Sequence, residues 1–255
     1  MSLNACAALV ERADRDRFRA TMAAPVAARR VLFPLYAFNV EVSRAPWVTQ
    51  EPMIAEMRLQ WWRDALEEIT GGGPVRKHEV VDALAAVLDA EGAALLDGLV
   101  AARRWDVYKD AFEDAAHFDS YIDATSGHLM WTAARLLGPA DETTVRDFAY
   151  GVGVANFLRG APALEEGGRI PLVDGSPAGV MALARGAMDR MNAARRARAA
   201  VSRDAGHALL AGHMARPVLA RAVKQPAAVA QAALDPQPLA QSLRLLHASL
   251  RGWWV

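Results

Sequence analysis

Apolar positions along the chain recur at helical spacing, and runs of β-branched residues are few, so the pattern predicts helices. A first helix is expected over residues 3–22 and a second over 26–44, opening just after Pro25. In EPMIAEMRLQWWRDALEEI (51–69), Pro52 takes an early helical position, with acids in the first turn. Met53, Met57 and Trp61 fall at i, i+4 and i+8, with Leu66 and Ile69 widening the same apolar face. The GGGP run at 71–74 ends that helix. Further helices are expected over 80–90, 93–108, 118–137 and 142–159. Ser176 and Pro177 form an N-cap and first-turn pair for a long helix reaching about residue 201. A helix over 206–224, interrupted near Pro217, and a last one over 238–250 follow. Residues 160–175 are the longest irregular stretch expected. No fixed-period repeat or low-complexity linker divides the chain, which predicts a single all-α domain over residues 1–255.

Composition agrees with that reading: 53% of the 255 residues are hydrophobic, enough for a substantial core. The longest apolar runs fall short of the roughly 18 residues a spanning helix needs. The first residues, MSLNACAALVERADRDRF, carry acids early and no cleavage pattern, so no leader is expected there. Cys6 is the sole cysteine, which excludes an internal disulfide and any multi-cysteine metal site and fits a reducing, cytoplasmic location. The zero net charge hides a split: residues 1–168 carry 17 Lys/Arg against 25 Asp/Glu, and residues 169–255 carry 12 against 4. Such a split suits either a surface for an acidic partner or anionic membrane, or two parts that complement each other within one fold.

Most chemical motifs fail. There is no H-E-x-x-H, no Walker loop, no dinucleotide glycine fingerprint and no G-x-S-x-G. His207 and His213, six residues apart, do not share a helix face. Gly151-Val152-Gly153 lies inside a predicted helix, where close packing explains it. Residues 185–203 are basic but Ala-rich, so no nucleic-acid partner is expected.

Four segments do match something: LYAFNVEVSR (35–44), RLQWWRDALEEI (58–69), YIDATSGHLMWTAARLLG (121–138) and NFLRGAPALEEGGRIPL (156–172). In order and spacing they resemble the squalene/phytoene synthase family of head-to-head isoprenoid synthases, most strongly over residues 5–225. The resemblance implies an isoprenoid-synthase-like helical bundle around a central apolar cavity. It also implies two Asp-rich motifs on facing helices. Carboxylates four apart share one helix face and hold Mg²⁺ against a diphosphate leaving group.

This chain departs from that pattern at every acid. The first motif is expected seven residues after Tyr36, where Ser43 stands, with Trp47 four later. The second follows Arg159, at Gly160 and Leu164. None of the four side chains supplies an anionic oxygen for Mg²⁺. The pairs Asp64/Glu68, Asp110/Asp114 and Asp119/Asp123 have the right spacing but read as solvated surface, and Glu165 and Glu166 are adjacent on an expected loop. No catalytic residue, metal ligand or cofactor is therefore assigned; Mg²⁺ enters only if the chain is a divergent prenyl-diphosphate condensing transferase.

The surviving frame supplies the candidate cavity or ligand-binding residues. Tyr36, Asn39, Glu41, Arg44, Arg58, Tyr121, Asn156, Arg159 and Arg169 either form a polar network at the cavity mouth or tie helix ends together. Trp61, Trp62, Trp131 and Phe157 are either pocket wall or plain core. YAFNVEV and EPMIAEMRLQWWRDAL resemble a metal-motif-poor, phytoene-synthase-like branch that assists assembly of respiratory complex I. The branch implies a non-catalytic bacterial relative working at the cytoplasmic face. Its implied partners are a complex I subunit or assembly intermediate and, peripherally, the inner membrane, through the basic C-terminal third and RGWWV (251–255). Docking of the last helix is the other reading of that tryptophan pair. A carrier for an isoprenoid or quinone lipid is the remaining alternative.

Overall fold

The structure, a computed structural model, describes residues 2–49 and 51–255; among them it is helical, with one isolated bridge between Ala140 and Val201. The chain opens on α1 (Ser2–Ala13) and α2 (Arg15–Ala23), not on one helix over 3–22. Asp14 makes the break: its carboxylate accepts the Arg17 backbone N–H at 2.9 Å, satisfying a donor that only a new helix start leaves open. α3 (Val26–Arg44) has the predicted bounds, and every residue from Leu32 to Val40 is buried. A helix buried on all sides is the centre of a bundle, and α1, α2, α4, α5 and α9 pack around it.

α4 (Pro52–Thr70) forms where expected, but only part of the expected face is turned inward: Trp61, Leu66 and Ile69 pack on the core, and Met53 and Met57 do not. Its buried stripe is Ala55, Leu59, Trp62 and Leu66, with Ala65, packed toward α6, while Met53 and Met57 are 75% and 67% exposed. Two stripes on this helix have helical spacing, and the one with small residues permits the closer approach. Nor does an acid lie in the first turn; Glu51 precedes the helix as its N-cap residue.

α5 (Glu79–Ala85), α6 (Ala90–Ala102) and α7 (Trp105–Tyr108) replace the expected helices over 80–90 and 93–108. Asp89 restarts the chain by accepting the Gly92 N–H at 2.8 Å, and Lys109, at φ 56°, closes α7. α8 (Ala115–Ile122) passes through a π-helical turn, Asp123–Gly127, into α9 (His128–Leu137). α10 (Glu142–Glu166) is the longest helix described, and α11 (Pro177–Arg196) lies against it. α12 (Arg203–Leu209) and α13 (Ala215–Lys224) part at Leu210–Gly212, earlier than Pro217 suggested. Pro217 sits in the first turn of α13, where its missing N–H costs no helical bond.

α14 (Pro238–Arg251) ends the helical part, and the tryptophans that follow it turn inward. Trp253 is 4% exposed and meets the Phe148 ring edge-on, centroids 4.8 Å apart, so the tryptophan pair docks the last helix, while Arg251 stays exposed. No helix among the described residues is long and apolar enough to cross a membrane.

α10 packs against α9, α11, α13 and the π turn, and its glycines allow that crowding. A Cβ at Gly151 would run into the Met191 side chain and lie 3.2 Å from the Ala187 carbonyl oxygen, so Gly151 and Gly153 are packing positions. Gly151→Val is expected to cost about 1–3 kcal/mol, read as a lowered urea midpoint; an unchanged midpoint would contradict this packing.

Candidate functional site

The site is built at the C-terminal end of α10. That helix does not stop at Arg159 but continues through Gly160, Ala161, Pro162, Ala163 and Leu164. Pro162 removes one donor, the N–H that would meet the Leu158 carbonyl, and buried neighbours Leu158 and Ala161 hold the helix through it. The end comes at Gly168, at φ 78°, a left-handed position that glycine adopts without strain. Its N–H meets the Glu165 carbonyl at 2.9 Å, and the Arg169 N–H meets that of Leu164 at 3.0 Å, the paired bonds of a Schellman cap. The reversal carries the Arg169 side chain into the protein.

A cavity of about 1330 Å³ opens between the α1–α2 break, the end of α3, the π turn, α10 and α13. Ser43, Trp47, Gly160 and Leu164, more than a hundred residues apart in two pairs, all line it. These are the positions where aspartates were expected. Ser43 turns its hydroxyl to the Val40 carbonyl at 3.1 Å, and Gly160 has open space where a Cβ would stand. A hydroxyl bonded to its own helix, an indole, a hydrogen and an isobutyl group do not make a Mg²⁺ site, so the residues do not fit that ion.

The carboxylates that do line the cavity are committed to arginines. Asp14 pairs with Arg17 at 2.6 Å, and Asp16 and Asp235 grip Arg159 at 3.0 and 2.7 Å. Asp106, 4% exposed, accepts from the Tyr121 hydroxyl at 3.0 Å and from Arg103 at 3.1 Å. Burial pushes the Tyr121 phenol well above its ordinary pKa, so it remains a proton donor to Asp106. Arg12, Arg15 and Arg44 line the same space and make no ion pair among the described residues. The wall thus mixes charged groups with apolar ones such as Ile122, Val152 and Phe157.

Arg169 lies beside this space, 6% exposed. One of its terminal nitrogens donates to the Asp106 backbone carbonyl, and its guanidinium lies over the Trp47 ring at 4.8 Å and near Trp105 at 5.8 Å. Its Nε and other terminal nitrogen have no hydrogen-bond partner. A buried guanidinium without a carboxylate is costly, and the electron-rich indole faces lower that cost.

Of the candidates named from sequence, Asn39, Arg44, Tyr121, Asn156, Phe157 and Arg159 line the cavity. The rest do not. Tyr36 is buried in α3 and donates to the Ala208 carbonyl at 3.3 Å, its pKa pushed up to about 12 by burial. Glu41 is half-buried on α3, away from the cavity, and Arg58 is exposed on α4. Trp61 packs edge-on against Trp62, Trp62 against Phe38, and Trp131 is buried, which makes them core. The spaced acid pairs also lie elsewhere: Glu68 is held at about 2 by its hydrogen bonds to Arg76, Asp114 caps α8, and Asp123 pairs with Arg146. Sequence reasoning missed Asp14, Asp16, Arg17, Arg103, Asp106 and Asp235; the alternating charges of ERADRDR (11–17) were the available signal.

The squalene/phytoene synthase family model matches residues 10–245. An NADH dehydrogenase (ubiquinone) complex I assembly factor 6 homolog of Drosophila melanogaster is 30% identical over 62% of this chain and 50% of its own. Assembly factor 6 of Homo sapiens is 23% identical over 62% and 48%. The chain spans about half the length of the curated relatives it matches. Among solved structures, a dehydrosqualene synthase in complex with ligand superposes with a TM-score of 0.81 at 16% identity, covering 98% of this chain and 95% of its own. Squalene synthase HpnC from Alicyclobacillus acidocaldarius gives 0.74 at 16% identity, covering 88% and 94%. At that identity the superpositions establish the isoprenoid-synthase fold alone.

The buried network predicts an asymmetry. Asp106→Ala strands Arg103 and is expected to cost about 3–5 kcal/mol. Tyr121→Phe removes one hydrogen bond, about 1 kcal/mol. Equal costs in chemical denaturation would contradict the assignment of Asp106 as the shared acceptor.

Proposed function

This chain belongs to the squalene/phytoene synthase family, and from that premise we propose that it is a non-catalytic member acting in assembly of respiratory NADH:quinone oxidoreductase, complex I. One observation carries the reading: the four positions that meet on the cavity wall, where the fold would hold its metal, contain no carboxylate. The assembly-factor names of its relatives in fly and human support the direction. The partner in this proposal is a complex I subunit or assembly intermediate. The place is the cytoplasm of a bacterial cell, with peripheral contact at the inner membrane.

The cavity itself favours a second role alongside the first. A space of about 1330 Å³ with Phe157, Ile122 and Val152 on its wall suits an isoprenoid or quinone tail, bound and not transformed. Condensation of prenyl diphosphates is the less favoured alternative, because the four expected metal positions offer no carboxylate to hold the ion that would stabilise the leaving diphosphate.

In cells that make this chain, deleting it is expected to lower assembled complex I on native gels while the subunit transcripts stay level. Unchanged complex I would contradict the proposal. Ser43→Asp, Trp47→Asp, Gly160→Asp and Leu164→Asp combined are expected to give no prenyl condensation with Mg²⁺. A carboxylate at position 47 would pair with the uncovered Arg169 guanidinium before it held a metal. Measurable turnover would show that the acids alone separate this chain from an enzyme.

A further inference from the structure

α14 packs on the body by one narrow face. Ala248 is buried, Leu245 is half-buried, and Trp253 just beyond the helix anchors it against Phe148. The opposite face carries Leu239, Leu243, Leu246 and Leu250, 72, 57, 55 and 76% exposed. Their spacing of i, i+4, i+7 and i+11 places them within an arc of roughly 60°. Scattered surface leucines are ordinary, but four in one stripe form a contiguous apolar strip that water does not favour.

Charge indicates what covers it. Arg244, His247 and Arg251 flank the stripe on one side, and the sequence from Pro236 to Val255 contains no Asp or Glu. The neighbouring α2 adds exposed Arg15 and Arg19. A second copy of the chain meeting this face two-fold would set those arginines near their own mates with no acid on the helix to answer them. An anionic lipid surface takes both parts: leucines enter the headgroup–acyl boundary, and the cations meet phosphates. We propose that α14 is an interfacial helix that seats the protein on an anionic phospholipid membrane through Leu239, Leu243, Leu246 and Leu250. The proposal rests on the peripheral membrane contact proposed above and is independent of the complex I partner. It moves that contact from the terminal tryptophans, which are docked inward, to the helix before them.

The test is flotation of the full chain with vesicles of phosphatidylcholine alone and of equal parts phosphatidylcholine and phosphatidylglycerol. The wild type is expected to float with the anionic vesicles and to release as salt is raised. Leu243→Gln with Leu246→Gln is expected to lower the bound fraction on the order of tenfold with an unchanged melting midpoint. Arg244→Gln with Arg251→Gln is expected to lower it several-fold. A wild type that ignores anionic vesicles overturns both the membrane contact and this surface. A wild type that binds as well as the leucine variant leaves the contact standing and overturns α14 as its seat. Self-association that disappears in the leucine variant overturns it in favour of a second copy.

Discussion

Burying a guanidinium costs several kcal/mol unless something answers its charge, and Arg169 is buried without a carboxylate. Its answer is a backbone carbonyl from Asp106 and the faces of Trp47 and Trp105. That choice shapes the site. An indole at position 47 occupies the place of an expected metal-binding acid and serves as cover for a cation. The Schellman cap at Gly168 fixes where the guanidinium enters, and the extension of α10 past Pro162 sets where the cap falls.

Two other arginines of the wall, Arg17 and Arg159, and Arg103 beside Tyr121 are answered by carboxylates, while Arg12, Arg15 and Arg44 make no ion pair among the described residues. Asp14, Asp16, Asp106 and Asp235 each neutralise an arginine on the cavity wall. Arg159 joins α10 to α2 and to the segment before α14, positions far apart in sequence, so these pairs fasten the cavity wall. A carboxylate already held by a guanidinium is a poor recruit for Mg²⁺, which binds through carboxylates left free to face it. The cavity of about 1330 Å³ is walled by fastened ion pairs, with no carboxylate at the four expected metal positions. That combination suits a protein that holds partners or lipid, as the proposed assembly role requires.

Much of this was readable in the sequence, and the failures have physical causes. The helices over 26–44 and 238–250 emerged close to their true bounds because proline or a cap marks their starts. The bounds of α4 are legible, and so are Trp61, Leu66 and Ile69 on its inner side; Met53 and Met57 mislead because two apolar stripes share the helical spacing and only packing against α6 selects one. The helix over 142–159 was cut short because Gly160 and Pro162 read as breakers; buried contacts at Leu158 and Ala161 override them. At the site, the convergence of Ser43, Trp47, Gly160 and Leu164 followed from the family motifs, which carry long-range information that periodicity lacks. Tyr36, Glu41, Arg58, Trp61 and Trp62 are adjacent to the motifs in sequence, yet helix geometry turns their side chains elsewhere, and Arg169 lies just behind the wall because the chain reverses at Gly168. The Asp16–Arg159 and Arg159–Asp235 pairs left no local signature at all.

The most direct measurement is isothermal titration of the purified chain with a non-hydrolysable farnesyl diphosphate analogue, with and without Mg²⁺. A cavity whose metal positions are Ser43, Trp47, Gly160 and Leu164 predicts the same heat in both titrations, whether binding is weak or driven by the apolar tail. Tight binding that requires Mg²⁺ would contradict the loss of the metal site and return this chain to the catalytic synthases.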